Sequence, residues 1–276
     1  MAEKRPDLAA LEVNDPFSYV GYNIFPEFRV PQKAGTIYFT TPVTDAAAQT
    51  GRTLGAAPTT ATMASGNDTY SCAEVIDRIL IPDDEVPLWG GTVDGAVKLA
   101  AIAAKRNVMR AIEAAQVAQA FDASITSMDI LGTGILYAMD YAVDAVHQVP
   151  GKLCGACGWD TFRRLIRYAE ITDTFLRMVT GGPLTQSGDV RLINADGMAQ
   201  ALGLQKLFVG DLDHFTAGKL VVFKQVDGAM PPFMESQIGR TVTYWPEAGP
   251  IEVEYFFDDN LKSHTCLLYT SDAADE

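Results

Sequence analysis

The stretch TVDGAVKLAAIAAKRNVMRAIEAAQVAQAF, residues 92–121, decides the fold, because no other part of the chain is as strongly helical. Thr92 is a suitable N-cap, and Asp94 places an anion in the first turn, where the helix dipole favours it. Ten of its residues are Ala, and the larger apolar side chains do not gather into one stripe. The pattern predicts a strut about 45 Å long that contacts other segments on several sides.

The segments before this helix read as extended chain. Residues 1–35 combine four prolines with several aromatic residues, which disfavours helix over most of them and predicts an arm lying on another surface. Residues 36–41 and 69–81 are β-branched and aromatic, and they could pair as antiparallel strands. Between them, Thr44 to Asp68 is too long for an ordinary connection, so it is either disordered or reaches out to touch something.

The segments after the helix alternate between helical and extended patterns. Helices are predicted over residues 128–146 and 159–168 and just after Asn194, and strands over residues 206–210 and 219–223. There is no repeat and no regular βαβ alternation, so the fold class is α+β.

Composition excludes several kinds of protein. At 276 residues and 48% hydrophobic content the chain can form a real core, and its formal charge of −14 argues against a nucleic-acid groove. The sequence has no apolar run long enough to span a membrane, and its first residues lack the pattern of a signal peptide, so we expect synthesis in the cytoplasm without membrane association. The four Cys do not form a disulfide framework.

Candidate chemistry is sparse. Cys154 and Cys157 form a CxxC motif, which is either a redox pair at the start of the following helix or, with greater weight, two small buried thiols. Adjacent carboxylates such as Asp83 and Asp84 point to different sides and fit solvated turns better than acid–base catalysis, while the glycine pairs lack the Lys of a phosphate loop. The His and Cys residues lack the spacing of a zinc site. No catalytic, cofactor-binding or metal-binding residue is predicted.

The order of these features resembles the major capsid proteins of tailed bacteriophages, which have the Hong Kong 97 type fold. YVGYNIFPEFRVPQKAGTIYF (19–39) is similar to the arm that leads into the extended loop of that family, and EVIDRILIPDDE (74–85) to its return strand. RYAEITDTFLRMVTGGPLTQSG (167–188) and MAQALGLQKLFVGD (198–211) are similar to its axial domain. The resemblance implies five segments: an N-terminal arm (1–35), an extended loop with its return strand (36–85), a peripheral domain with the spine helix (86–124), an axial domain (125–248), and a return to the peripheral domain (249–265).

The resemblance also implies a structural role and a set of partners. Subunits would assemble into the pentamers and hexamers of an icosahedral virion shell in the bacterial cytoplasm, around DNA that is not bound sequence-specifically. Scaffolding, portal and decoration proteins would be further partners. The predicted contacts between subunits are the arm aromatics and three residues of the loop, namely Phe17, Tyr19, Tyr22, Phe25, Phe28, Arg52, Leu54 and Met63. Residues 34–97 contain no Lys, so an isopeptide cross-link through the extended loop is not expected.

The end of the sequence, CLLYTSDAADE (266–276), matches the translation of a transposase adapter used in DNA sequencing. We therefore expect these residues to be foreign to the protein, and a final strand of different sequence to belong there. Three other interpretations remain: an encapsulin-like nanocompartment shell, a thiol redox enzyme using Cys154 and Cys157, and an acidic mimic of nucleic acid.

Overall fold

The fold was derived from a computed structural model of the chain. The structure describes residues 3–11, 19–41, 64–89, 91–121, 128–129, 135–146, 151–168, 194–210, 214–225, 241–245, 251–258 and 262–274. Among these residues no helix is both long and apolar enough to cross a membrane.

One long helix, α3 (Val93–Ala120), runs through the structure and confirms the predicted strut. The Thr92 hydroxyl caps it by accepting a hydrogen bond from the Gly95 amide at 3.1 Å. Asp94 in the first turn forms an ion pair with Lys98 at 2.7 Å. Its buried residues recur on more than one side, so α3 is enclosed by several elements: Ala96, Val97, Ala100, Ala101, Ala104, Lys105, Val108, Ile112, Glu113, Gln116, Val117 and Ala120.

A six-stranded sheet, the peripheral sheet, packs on the first half of α3. Strand β12 (Ser263–Ala274) lies between β5 (Glu74–Pro82) and β11 (Ile251–Asp258) and is antiparallel to both. Three shorter strands extend the sheet: β1 (Glu3–Lys4) pairs with β11, β10 (Thr241–Tyr244) with the end of β12, and β2 (Glu27–Val30) runs parallel to β10. Ile81, Val253 and Leu268 from this sheet meet the alanine-rich face of α3. The small Ala side chains allow the helix to approach the sheet closely.

The axial sheet, of four strands, forms a second core. Its strand order is β6 (Met128–Asp129), β9 (Lys219–Gln225), β7 (Lys152–Gly158) and β8 (Lys206–Gly210), with β7 and β8 parallel. Three helices cover one face: α4 (Ile135–Val146), α5 (Trp159–Ile166) and α6 (Ala195–Ala201). The end of α3 and the arm cover the other face. The predicted helices and strands of this region are confirmed within a few residues, except that the segment predicted as one helix over 128–146 begins with β6.

The hairpin is the third unit, made of β3 (Ala34–Thr41) and β4 (Ala64–Ser71). These strands are antiparallel in register Ala34↔Ser71 to Thr41↔Ala64. Part of the strand prediction is wrong: the segment over 69–81 is two strands, because Cys72 and Ala73 separate β4 from β5, and the two strands belong to different sheets.

The N-terminal arm differs from the prediction in one respect. It contains two helical turns, α1 (Pro6–Ala9) and α2 (Gly21–Ile24), because Pro6 occupies the first turn of α1, where a missing N–H costs nothing. The surface on which its described parts lie is the chain's own α3, since Leu8, Val20 and Ile24 are buried in clusters that contain α3 residues.

Strand β12 occupies the position where a final strand of different sequence is expected, and it includes Cys266 and Leu268 as buried residues. A strand held by backbone hydrogen bonds on both sides accepts many alternating sequences. That residues 266–276 are foreign to the protein therefore stays a prediction.

Candidate assembly surface

The arm is fastened to α3 by buried polar side chains. Lys105, 8% exposed, donates from Nζ to the carbonyl oxygens of Ala9 at 2.5 Å and Leu11 at 2.7 Å, at the carboxyl end of α1. The cation thus meets the carbonyl groups that a helix end leaves unpaired. Burial lowers the pKa of the Lys105 ammonium.

Glu113 makes the opposite kind of contact, with its carboxylate at the amino end of a helix. Its carboxylate, 1% exposed, accepts hydrogen bonds from the amides of Val20 and Gly21, both at 2.7 Å, at the amino end of α2. Burial raises the pKa of this carboxyl group, while the two amide donors oppose that rise. A Cβ on Gly21 would lie 2.0 Å from Gln116 Oε1, so the close approach of arm and helix requires glycine here.

Gln116 continues this line of contacts to the peripheral sheet. Its Nε2 donates to Thr241 Oγ1 at 2.6 Å, and that hydroxyl donates to the Phe25 carbonyl oxygen at 3.1 Å. Lys105, Glu113 and Gln116 lie within one quarter of the helix circumference. The arm is therefore fixed along α3 from its first helical turn to β2.

The described contacts of the hairpin with the rest of the chain lie at its base. The Cys72 amide donates to the Lys33 carbonyl oxygen at 2.7 Å. Val30, Tyr70, Cys72 and Val242 form a small buried cluster beneath it. Beyond this base, β3 and β4 pair with each other and with no other strand in the described part of the chain. A two-stranded hairpin is marginally stable alone, so this element needs a further surface.

The predicted contact residues fall into three groups. Phe25, 3% exposed, lies in the chain's own core, and Phe28 packs partly against the cluster at the hairpin base. Tyr19 is half-buried and Tyr22 is 37% exposed, so parts of these two side chains reach solvent. Phe17, Arg52, Leu54 and Met63 lie outside the described residues. That these eight residues contact a neighbouring subunit stays a prediction.

The CxxC motif lies inside strand β7. Residues three apart in a strand point to opposite faces, and Cys154 and Cys157 accordingly belong to different core clusters. Both are buried, and burial raises the pKa of the Cys157 thiol to about 12. The two thiols share neither a face nor the exposure that a redox pair requires, and the Cys157 thiol lacks a low pKa.

Two further polar sites lie near the start of β12, and the sequence predicted one of them. Asp83, Asp84 and Glu85 form an exposed 3₁₀ turn, as the solvated-turn interpretation predicts. Sequence reasoning missed the environment of His264, whose Nδ1 lies 2.7 Å from the Tyr255 hydroxyl and whose Nε2 lies 3.2 Å from Asp83 Oδ1. This chain of contacts links the 3₁₀ turn to β11 and β12. In the described part of the chain, no group of His, Cys, Asp and Glu residues could hold a metal ion.

Comparisons with known proteins agree with this architecture. No protein-family model matches the chain, and no curated protein matches it in sequence. Among solved structures, one from Microbacterium phage Oxtober96 matches with a TM-score of 0.57 and 12% identity, over 96% of this chain and 88% of that one. A phage-related protein from Bordetella bronchiseptica RB50 matches with a TM-score of 0.55 and 16% identity, over 99% and 94%.

A third solved structure, the mature capsid of bacteriophage PhiM1, matches with a TM-score of 0.55 and 10% identity, over 96% of this chain and 85% of that one. Likeness at this level of identity concerns the fold. It confirms the predicted fold class, which is the Hong Kong 97 type capsid fold.

Proposed function

We propose that this chain is the major capsid protein of a tailed double-stranded DNA bacteriophage, and that it assembles into the pentamers and hexamers of an icosahedral shell. The observation that carries the proposal is the hairpin, an eight-pair two-stranded sheet that, in the described part of the chain, pairs with no other strand and packs on the body at its base. In a molecule with a capsid fold, such an element gains its stability from a neighbouring subunit.

The charge of the chain supports the same role. A shell that encloses DNA should not bind it tightly, and the formal charge of −14 opposes phosphate binding. The shell would be part of the virion and assemble in the bacterial cytoplasm. Scaffolding, portal and decoration proteins are further proposed partners. Because residues 34–97 contain no Lys, shell strength would depend on buried area or on a decoration protein.

The other interpretations receive less support. A thiol enzyme requires an accessible thiolate, whereas Cys154 and Cys157 are buried on opposite faces of one sheet. An encapsulin-like compartment would share the fold, but the described residues carry no feature that favours it over a phage shell.

Electron microscopy tests the proposal. The purified protein should be examined by negative stain under several salt and pH conditions, beside a variant in which residues 44–62 are replaced by Asn-Gly, a two-residue turn. This deletion retains both β3 and β4. We expect closed shells from the wild type, and only dispersed subunits with unchanged circular dichroism from the deletion.

Two results would overturn parts of this proposal. Dispersed wild-type protein under every condition would contradict self-assembly of the chain. Normal shells from the deletion variant would contradict a role of residues 44–62 in assembly and leave the shell itself standing.

A further inference from the structure

The outer face of α4 carries an unusual set of exposed side chains. Tyr137 and Tyr141 are 76% and 66% exposed, and Asp140 is exposed between them. The inner face of the same helix is buried, with Ala138, Met139 and Ala142 in the core of the axial sheet. Two large rings one helical turn apart form a single surface. We call Tyr137, Asp140 and Tyr141 the acidic–aromatic stripe.

A basic pocket of about 310 Å³ lies at one end of the axial sheet. It is lined by Lys152, Cys154, Gln205, Lys206 and Gln225. Lys152 is paired with Gln225 across β7 and β9, and Cys154 with Lys206 across β7 and β8. Directly paired residues point to the same face of a sheet, so both Lys side chains lie on the face to which Cys154 belongs.

The lining of this pocket selects for an oxyanion. The described residues of the lining contribute two ammonium groups and two side-chain amides and no carboxylate, and the Gln225 amide also donates to the Asn23 carbonyl oxygen at 3.3 Å. The Lys206 ammonium lies 4.6 Å from the centre of the Phe208 ring, and the described part of the chain gives it no ion-pair partner. A cation held over a ring and near a second ammonium gains from a nearby anion.

The stripe and the pocket lie on opposite sides of one sheet. Helix α4 belongs to the core cluster on one face, and Cys154 belongs to the cluster on the other. One copy of the chain cannot bring them together, but two copies arranged head to tail can. Repeated contacts of this heterologous kind close into a ring when the rotation between neighbouring copies closes.

We propose that the acidic–aromatic stripe of one subunit docks on the basic pocket of the next, with the Asp140 carboxylate between Lys152 and Lys206 and the two Tyr rings covering the rim. The occupant is a second copy because the stripe and the pocket are complementary in charge, and the pocket's volume of about 310 Å³ has room for the Asp140 carboxylate together with part of the flanking rings. Aromatic residues surrounding a buried charge contact are typical of interface centres. The inference rests on the proposed function, since it specifies a contact within the assembled ring.

A charge-swap experiment tests this contact. Three variants are compared with the wild type by velocity sedimentation and electron microscopy: Lys152→Glu with Lys206→Glu, Asp140→Lys alone, and all three changes together. Each of the first two places like charges in contact, so we expect at least a tenfold loss of assembled particles. The triple variant restores opposite charges and should recover most of the assembly.

Matched controls separate this from a folding defect. Lys219→Glu changes the same charge on the same sheet, at the end of β9 farthest from Gln225 in the pocket, and should assemble normally. The neutral Lys152→Gln with Lys206→Gln variant should show an intermediate loss. Melting temperatures of all variants should stay within a few degrees of the wild type, because the altered side chains carry charges at the surface.

The outcomes distinguish the two proposals. Wild-type protein that never assembles would overturn the proposed function and this inference with it. Wild-type shells together with normal shells from either charge-reversed variant, or a triple variant that fails as badly as its parents while remaining folded, would overturn only the docking contact.

Discussion

The N-terminal arm and the β3–β4 hairpin are both built from extended chain, yet the structure holds them in opposite ways. The arm is fixed along α3 by the buried side chains of Lys105, Glu113 and Gln116. The hairpin has a small apolar cluster and an exposed Lys33–Glu74 ion pair at its base.

This difference indicates which contacts belong to the subunit and which belong to an assembly. A buried charge is costly unless fully paired, and both Lys105 and Glu113 are paired with helix ends of their own chain. The described part of the arm is thus part of the folded subunit. Within the described residues, the hairpin shows no comparable buried charged contact.

Removing the Glu113 carboxylate should have the largest effect on the arm. Glu113→Ala leaves the Val20 and Gly21 amides buried without their acceptor, and each such donor costs about 1–3 kcal/mol. We expect the free energy of unfolding to fall by roughly 3–5 kcal/mol, as measured by guanidinium denaturation. Glu113→Gln keeps one acceptor oxygen and should lose less than half as much. A Glu113→Ala variant as stable as the wild type would show that the arm is not held by this carboxylate.

Lys105→Met should have the next largest effect. Methionine keeps most of the buried length but removes the donor to the Ala9 and Leu11 carbonyl oxygens. Ala9 and Leu11 are only half-buried, so water can replace part of the lost contact. We therefore expect the free energy of unfolding to fall by about 1–2 kcal/mol. Lys98→Met on the exposed side of α3 is the matched control and should change stability by less than about 0.5 kcal/mol.

The pH dependence of stability should show the effect of the Glu113 carboxyl group. Burial raises the pKa of this carboxyl group above its ordinary value of 4.5, so the folded state binds the proton more tightly than the unfolded state. The resulting stabilisation is fully present below pH 4.5 and is lost as the pH rises through the raised pKa. Denaturation curves from pH 4.5 to pH 8 should therefore show the wild type losing stability relative to Glu113→Gln. A constant difference between the two proteins would contradict this.

The smallest effect is expected at the hairpin base. Lys33→Ala removes an exposed ion pair with Glu74, and exposed pairs contribute about 0–1 kcal/mol. Val242→Ala, in the buried cluster beneath the same hairpin, should cost more because it leaves a cavity. If Lys33→Ala proved the more damaging of the two, the hairpin would be held by electrostatics, and the contrast with the arm would weaken.

Local signals in the sequence predicted individual helices and strands better than they predicted which strands pair with each other. The Thr92 cap and the run of Ala define α3 almost to the residue, and β8 lies over the predicted residues 206–210. The division at Cys72 was missed because residues 71–74 contain no Gly, Pro, Asn or Asp and β-branched residues resume at Val75. The central position of β12 depends on partners up to 197 residues away, such as Glu74 for Ser271, and no local pattern encodes that.

The contacts that fasten the arm were also missed, although a signal for them existed. A charged residue on a long helix is normally solvated, so Lys105 and Glu113 read as surface residues. Their spacing places them on the same side of α3 as Gln116 and the buried Val108 and Ile112. A helical wheel could have shown a polar stripe within an apolar face, but not that the stripe meets the ends of two short helices in the arm.

The order in which the two sheets are completed has a consequence for synthesis on the ribosome. The strands of the axial sheet all lie within residues 128–225, so this sheet can form while the chain is still emerging. The peripheral sheet must wait for β12, which joins β5 to β11 after more than 260 residues have been translated. At about 5–20 residues per second, the alanine face of α3 stays uncovered for several seconds. During that interval the exposed apolar face leaves nascent chains open to chaperones and to wrong strand pairing.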